Sequence, residues 1–425
     1  MHDDYTKFND IVLIDTTYNT NYYSIPLVVI CGVDNNYKNI IFALGLVNDE
    51  TSQTYQWLLR NFAELTQITP RFVISDGDLA LGSAIEKEYV NVPHRLCQWH
   101  ISRNLHRNFN FLKIEHQDIK EKIFSLPRLD DRETFSDYEK QIMKFLQDNN
   151  YSKSVEYLKN LLNCKGKWAK PYYPLIFDGG ITTTSRVEGL NSAIKKYLNS
   201  KSEISDIITF ISDSEKADYL EKPLTVDITK FIEIEPLLEE LSTFLPWKVM
   251  QKQFEEYSRS KMYINKPSSG IMESQGKKFE VKYDRQNKNS SNNAESKEYR
   301  THAVSYGAKI TCNCLFFERT GLICRHIFHI CSTQNEKTMQ RLVISDRWRR
   351  FLIISTQVHF QSPEIKNKED KDVKNDNFHK NSLERQFNEE EILSSSEGDS
   401  QESNAKEEGF EKENVVGILH KESQK

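Results

Sequence analysis

The sequence of 425 residues contains no run of 18 apolar residues, so it offers no transmembrane helix. Its first ten residues, Met1–Asp10, are polar, and no secretory signal is expected from them. No internal repeat is present. Cysteine is scarce and odd in number, with seven in all and four in one short window. That pattern does not build a disulfide framework. It points to a reducing compartment and a metal site. Apolar residues make up only 38%, below the usual content of a fully packed chain, so part of the chain is expected to lie outside any core.

Basic charge is not in excess either, since the formal net charge is −5. The acidity is local, however. Residues 361–425 hold 10 Lys and Arg against 17 Asp and Glu, and their only aromatics are Phe378, Phe387 and Phe410. The remaining 360 residues carry 47 basic and 45 acidic side chains. A near-neutral body with an acidic, core-poor tail leaves a nucleic-acid partner open, and residues 361–425 are expected to be disordered.

What is present reads first as strands. Asp10–Thr17 (DIVLIDTT) is a continuous apolar run with a polar stop, Ile25–Val33 is a second strand and Ile40–Val47 a third. Their short links predict an antiparallel meander. A helix begins at Thr51 with Tyr55, Leu58, Leu59 and Phe62 on one face. Arg71–Ser75 is a fourth strand, Leu79–Tyr89 a helix, Arg95–Cys97 a short fifth strand, and a helix follows from about Trp99. Three antiparallel strands followed by alternating strand and helix is the order of an RNase H-like α/β fold, a mixed five-stranded sheet. The expected division is 8–113 for the first part of this core and 114–182 for an all-helical insertion. Residues 183–263 complete the core, 264–300 form a linker or long hairpin, and 301–350 form a small cysteine- and histidine-bearing region.

Asp15 and Asp76 each stand at the polar end of a buried strand. On neighbouring strands their carboxylates repel, and a divalent cation relieves the repulsion. Strand-end aspartates also cap turns and helices, and Asp78 reads as the N-cap of the next helix. Glu188, on the helix Ser185–Leu198, is the third candidate. Ser185–Glu188 also fits an S-x-x-E capping box, in which the glutamate only satisfies a backbone amide.

Cys312-x-Cys314, nine intervening residues and Cys324-x-His326 form a far more specific pattern. Thiolate and imidazole are the ligands tetrahedral Zn²⁺ prefers, and residues two apart in extended chain share a face. Gly321 supplies a permissive turn. His329 and Cys331 are then helix or core residues. Cys97-x-x-His100 is either half of a metal site or a packing and hydrogen-bonding pair. The basic stretch Arg95–Arg107 either tracks a phosphate backbone or is a solvated helix face.

Asp15–Val47, SDGD at 75–78, CQWH at 97–100 and TTSRVEGLN at 183–191 together resemble the Mutator-like element (MULE) transposases and their plant far-red-response relatives. The Cys312–His326 cluster resembles a SWIM zinc finger, and Ile344–Trp348 is similar to a stretch that follows it in those relatives. The resemblance covers roughly residues 8–350. It implies a DDE catalytic core in which Asp15, Asp76 and Glu188 bind two Mg²⁺ or Mn²⁺ ions. It also implies a structural Zn²⁺ on Cys312, Cys314, Cys324 and His326, and places Cys97 and His100 near the active site. The expected activity is DNA cleavage and strand transfer in the nucleus. DNA is the partner, self-association into a homo-oligomer is left open, and no membrane is involved. Many relatives carry an N-terminal zinc-dependent DNA-binding domain, whereas here the first strand begins within about ten residues of Met1. A domesticated DNA-binding transcriptional regulator without catalysis is therefore the alternative.

Overall fold

The computed structural model describes residues 2–220, 236–267, 277–284, 301–338, 342–349 and 417–419. All of them belong to one compact unit, Met1–Arg350 with Asn414–Lys425. The expectation of disorder over 361–425 lies outside the described residues, except at 417–419.

Strands β1 (Val12–Thr17), β2 (Leu27–Val33) and β3 (Asn39–Leu46) pair antiparallel, as their short connections require. After helix α2 (Ser52–Thr66) the chain returns as β4 (Val73–Ser75), parallel to β1. After α3 (Leu79–Glu88) it returns as β5 (His94–Leu96), parallel to β4. The spatial order is β3-β2-β1-β4-β5. A sixth segment, Gly417–Leu419, extends the sheet by pairing antiparallel with Leu44–Leu46. These three residues come from the stretch expected to be disordered, and their position on the sheet corrects that expectation locally.

The alternation of a strand sends neighbouring residues to opposite faces. Val12, Ile14, Val28, Ile30 and Val73 face a layer built by α2, α3 and an N-terminal helix, α1 (His2–Phe8). No sequence signal marks α1. It is seven residues long and polar, yet its Tyr5 ring meets Phe42 and Phe62 edge-on at 5.0 and 4.8 Å. Leu13, Val29, Leu44 and Ile74 face the other way, onto the helix carrying Glu188 and the chain beyond it.

Helix α4 (Gln98–Phe109) leaves the sheet and joins α5 (Gln117–Ser125), α6 (Arg132–Asp148) and α7 (Ser152–Asn163). They pack around their own core of Leu105, Phe109, Phe135, Leu146, Leu158 and Trp168, a helical group that starts at Gln98, before the residue 114 expected for an insertion. Helix α8 (Ser185–Tyr197) brings the chain back to the sheet, followed by α9 (Ile204–Leu220), α10 (Pro236–Phe244) and α11 (Trp247–Ser260).

The stretch 264–300, expected as a linker or hairpin, contributes to a second sheet. Strands β6 (Tyr263–Pro267), β7 (Lys277–Tyr283), β8 (His302–Tyr306) and β9 (Ile310–Cys312) pair antiparallel in that order. Residues 268–276 and 285–300 lie outside the described residues. In β7 the alternation is legible, since Phe279 and Val281 are buried between Lys and Glu.

At the end of the main sheet Arg95 is 1% exposed. Its guanidinium lies over the rings of Phe72 and Tyr173, at 4.8 and 3.8 Å, and donates to Asp178 Oδ2 at 2.8 Å. Asp178 also accepts the Gly180 amide and lies 3.8 Å from Arg319. This corrects one reading of the basic stretch, since a buried, paired Arg95 cannot track a phosphate backbone. Removing one partner strands a buried charge. Arg95→Met should therefore cost about 3–5 kcal/mol in urea denaturation. Arg95→Met combined with Asp178→Leu should cost less than the two single changes added together. A loss below about 1 kcal/mol for Arg95→Met would contradict this role.

Candidate functional site

Parallel pairing of β1 with β4 sets Ile14 opposite Ser75, so the next residue on each strand is an aspartate. Asp15 and Asp76 thus lie side by side at the strand ends. They share the sheet face of Leu13 and Ile74, which is covered by α8. Asp15 is 7% exposed. Burial, then the charges of Asp76 and Glu188, push its carboxyl up to about 7. Asn191 Nδ2 donates to Asp15 Oδ2 at 2.9 Å and partly opposes that rise. Asp76 is raised by burial and by Asp78 and Glu50, while the Asp78 amide donates to its Oδ1 at 3.0 Å. Asp78 itself caps α3 by accepting the Leu81 amide, as its sequence position predicts.

Glu188 does not occupy a capping box. The helix N-cap is Thr184, which makes no side-chain cap bond, and Ser185 is already helical. The Glu188 carboxylate instead lies 3.7 Å from His100 Nε2. Burial raises Glu188, opposed by His100 and Arg103, and burial lowers His100. Cys97 is fully buried, and its Sγ accepts the Thr184 amide at 3.2 Å. The structure thus gathers all five expected residues at one end of the sheet. It adds Asn191, which the sequence reading quoted within TTSRVEGLN without assigning it a role. Asn191 stands three residues after Glu188, one turn along the same helix face, and that spacing was the available signal. From the basic stretch, Arg103, His106 and Arg107 are exposed on α4, and Trp99 is 40% exposed with Arg103 over its ring.

The second cluster is closed more tightly. The ligand atoms of Cys312, Cys314, Cys324 and His326 all lie within 4.8 Å of one another. Cys312 Sγ and His326 Nδ1 are 3.7 Å apart. A tetrahedron with Zn–S bonds of about 2.3 Å has edges of about 3.8 Å, so three thiols and an imidazole at this spacing fit Zn²⁺. Hydrogen bonds from Cys312 and Cys324 hold Cys314 well below the usual thiol range. Donation to Cys314 pushes Cys312 up to about 12, and burial raises Cys324. Three thiolates packed this closely repel one another, and a cation relieves that repulsion.

Local structure builds this cage. Cys312 ends β9, and Cys314 follows in the turn. A short helix, α12 (Phe316–Thr320), closes on Gly321 at φ +68°, and Cys324 is the N-cap of α13 (Arg325–Thr333). A side chain at Gly321 would meet Ser345 Cβ at 2.5 Å, which excludes other residues on space as well as conformation. Gln253 brackets the Ile323 backbone with two bonds of 3.0 and 3.1 Å, and Glu256 accepts three bonds from Arg325. His329 lies between Ser260 O and Asn265 Oδ1, and Cys331 is buried, so both are structural, as expected.

Residues 11–104 match the MULE transposase domain and residues 302–328 the SWIM zinc finger. The first match holds Asp15, Asp76, Cys97 and His100, the second holds the four zinc ligands, and Glu188 lies beyond both. The chain is similar to Protein FAR1-RELATED SEQUENCE 5 of Arabidopsis thaliana, 25% identical over 355 residues, which are 82% of this chain and 43% of that protein. Protein FAR1-RELATED SEQUENCE 4 of the same plant is 22% identical over 81% of this chain and 46% of its own length. Protein FAR-RED IMPAIRED RESPONSE 1 is 26% identical over 48% of this chain and 25% of its own. The chain spans less than half the length of these relatives. The two family matches are those the sequence resemblance implied.

Two outcomes follow. Chain purified under reducing conditions should contain one zinc by metal analysis, and Cys324→Ala should lose it and unfold at lower temperature. Absence of zinc from the wild-type chain would contradict the cage. The second outcome concerns pH without added divalent cation. Asp15 binds its proton more tightly folded, near pH 7, than unfolded, near 3.8. Between about pH 4 and 7 the folded state therefore holds more protons, and stability falls as pH rises through that window. The contribution is at most about 4 kcal/mol. Asp15→Asn should flatten this slope and be more stable than wild type at pH 8, as read from thermal unfolding. An unchanged slope would contradict the shared field.

Proposed function

We propose that this chain is the core of a DDE-type DNA transposase with an RNase H-like fold, cleaving and joining DNA phosphodiesters with Mg²⁺ or Mn²⁺ in the nucleus. The order β3-β2-β1-β4-β5, antiparallel through β1 and parallel beyond it, supports the fold. One observation carries the chemistry. Asp15 is buried at the end of a central strand, and its carboxyl is raised toward 7 by burial and by Asp76 and Glu188 together. Three carboxylates in one field are costly without positive charge, and phosphoryl transfer supplies that charge as divalent cations.

Bound there, such ions would activate a hydroxyl nucleophile and stabilise the leaving oxygen. The chain's own residues orient the ligands. Asn191 holds one oxygen of Asp15, the Asp78 amide holds one oxygen of Asp76, and His100 faces Glu188. The exposed Arg103 and Arg107 of α4 leave the sheet end on the same side as His100 and supply positive charge for a DNA backbone.

A second reading is a DNA-binding regulator on the same scaffold without catalysis. It is favoured by the name of one relative, FAR-RED IMPAIRED RESPONSE 1, which speaks of a far-red response and not of transposition. Incubation of the purified chain with end-labelled duplex DNA separates the two. The transposase reading predicts nicked or joined products that require Mn²⁺ or Mg²⁺ and vanish in Asp15→Asn. DNA retained without any product, equally in wild type and Asp15→Asn, would establish the regulator.

A further inference from the structure

Helix α8 presents Glu188 after a gap of more than a hundred residues from Asp76, and it begins without a side-chain cap. Something else must fix where its first turn lands, because a shift of one ångström there moves the carboxylate by as much. Arg186 donates to Tyr37 O and Asn39 Oδ1, and a second set of contacts comes from the junction of β5 and α4. The Gln98 amide donates to Thr182 O at 3.0 Å. The Thr184 amide donates to Cys97 Sγ at 3.2 Å, and Thr184 Oγ1 lies 3.4 Å from His100 Nδ1. His100 Nε2 lies 3.7 Å from Glu188 Oε1. Residues 97–100 thus touch 182, 184 and 188 in turn. Because β5 belongs to the same sheet as β1 and β4, the third acid is referred to the frame that holds the first two.

We infer that Cys97 and His100 are positioning residues for Glu188, forming a clamp on the start of α8, and are not half of a metal site. Cys97 is fully buried and its sulfur is engaged with a backbone amide. The closely gathered Cys/His quartet of the finger includes neither residue. The contact of Thr184 Oγ1 with His100 Nδ1 turns the other ring nitrogen, Nε2, toward Glu188. Cys97 acts one step further back, by taking the amide of the N-cap residue that the helix itself leaves unsatisfied.

The inference rests on reading Glu188 as the third acid, and its test has one arm that does not. The full zinc-loaded chain is compared with Cys97→Ala, Cys97→Ser, His100→Ala and His100→Gln. The first readout is hydrogen exchange of the amides of residues 184–188 without added divalent cation. The second is Mn²⁺ affinity by calorimetry, and the third is zinc per chain. Loss of the sulfur acceptor in Cys97→Ala should speed exchange at these amides about tenfold and weaken Mn²⁺ binding several-fold. Cys97→Ser keeps an acceptor and should stay within about twofold of wild type on both. His100→Ala should weaken Mn²⁺ binding, and His100→Gln, which retains a donor, should recover most of it. Zinc content should not change. Exchange at 184–188 unaffected by Cys97→Ala and His100→Ala alike would overturn the clamp. So would a fall in zinc content in Cys97→Ala, which would make Cys97 a ligand. If wild type binds no Mn²⁺ while Cys97→Ala still loosens 184–188, the clamp on α8 stands and the carboxylate reading falls.

Discussion

Like charge concentrated at the end of a buried strand is the constraint on which the rest of this molecule turns. Asp15 cannot be moved into water without breaking the register of β1 with both neighbours, and it cannot be comfortable where it is beside Asp76 and Glu188. The parallel pairing of β1 and β4 creates the first half of that situation with almost no freedom, because one register sets both aspartates on the same face. The second half depends on α8, which arrives from a distant part of the sequence. Its placement therefore has to be enforced by contacts: Asn191 to Asp15, the Thr184 region to Cys97 and His100, and Arg186 to the Tyr37 carbonyl and Asn39.

The zinc finger is not a bead hung on this core. A single apolar cluster runs from Leu13 and Val29 in the main sheet to Leu322, Ile327 and Phe328 in the finger. Trp348 stacks on Tyr37 at 4.3 Å and donates to Thr320 O, Arg347 pairs with Asp10, and Tyr37 Oη donates to Gly179 O beside Asp178. Order in the quartet is thereby linked through packed side chains to the end of β5, where Arg95 holds Asp178 one residue before Leu96 and two before Cys97. The finger quartet and the acid cluster belong to one packed unit.

Much of this was legible in the sequence where a signal is local. DIVLIDTT and RFVIS announce strands that end in aspartate, the α2 face shows its period, and Cys-x-Cys with Cys-x-His states its own chemistry. What stayed hidden depends on partners far apart in the chain. Arg95 sits in a basic run and looks solvated, because Phe72, Tyr173 and Asp178 that bury it are all more than twenty residues away. Ser185–Glu188 mimics a capping box, yet the helix starts one residue earlier than that motif needs. Strands 263–267 and 277–283 are rich in Lys and polar residues because much of their surface is solvated, and 277–283 pairs with both 263–267 and the more distant 302–306. Helix α1 is too short for a period to show.

The account stands on the claim that Asp15, Asp76 and Glu188 together bind a divalent cation. Calorimetric titration of Mn²⁺ into the zinc-loaded chain, at pH 6 in two buffers of different ionisation enthalpy, tests it most directly. With Asp15 protonated up to about pH 7 in the free protein, binding should displace its proton, so the apparent enthalpy should differ between the buffers. Asp15→Asn should show neither the proton release nor the binding. Wild-type chain that takes up no Mn²⁺, or binds it equally well in Asp15→Asn, would contradict the claim.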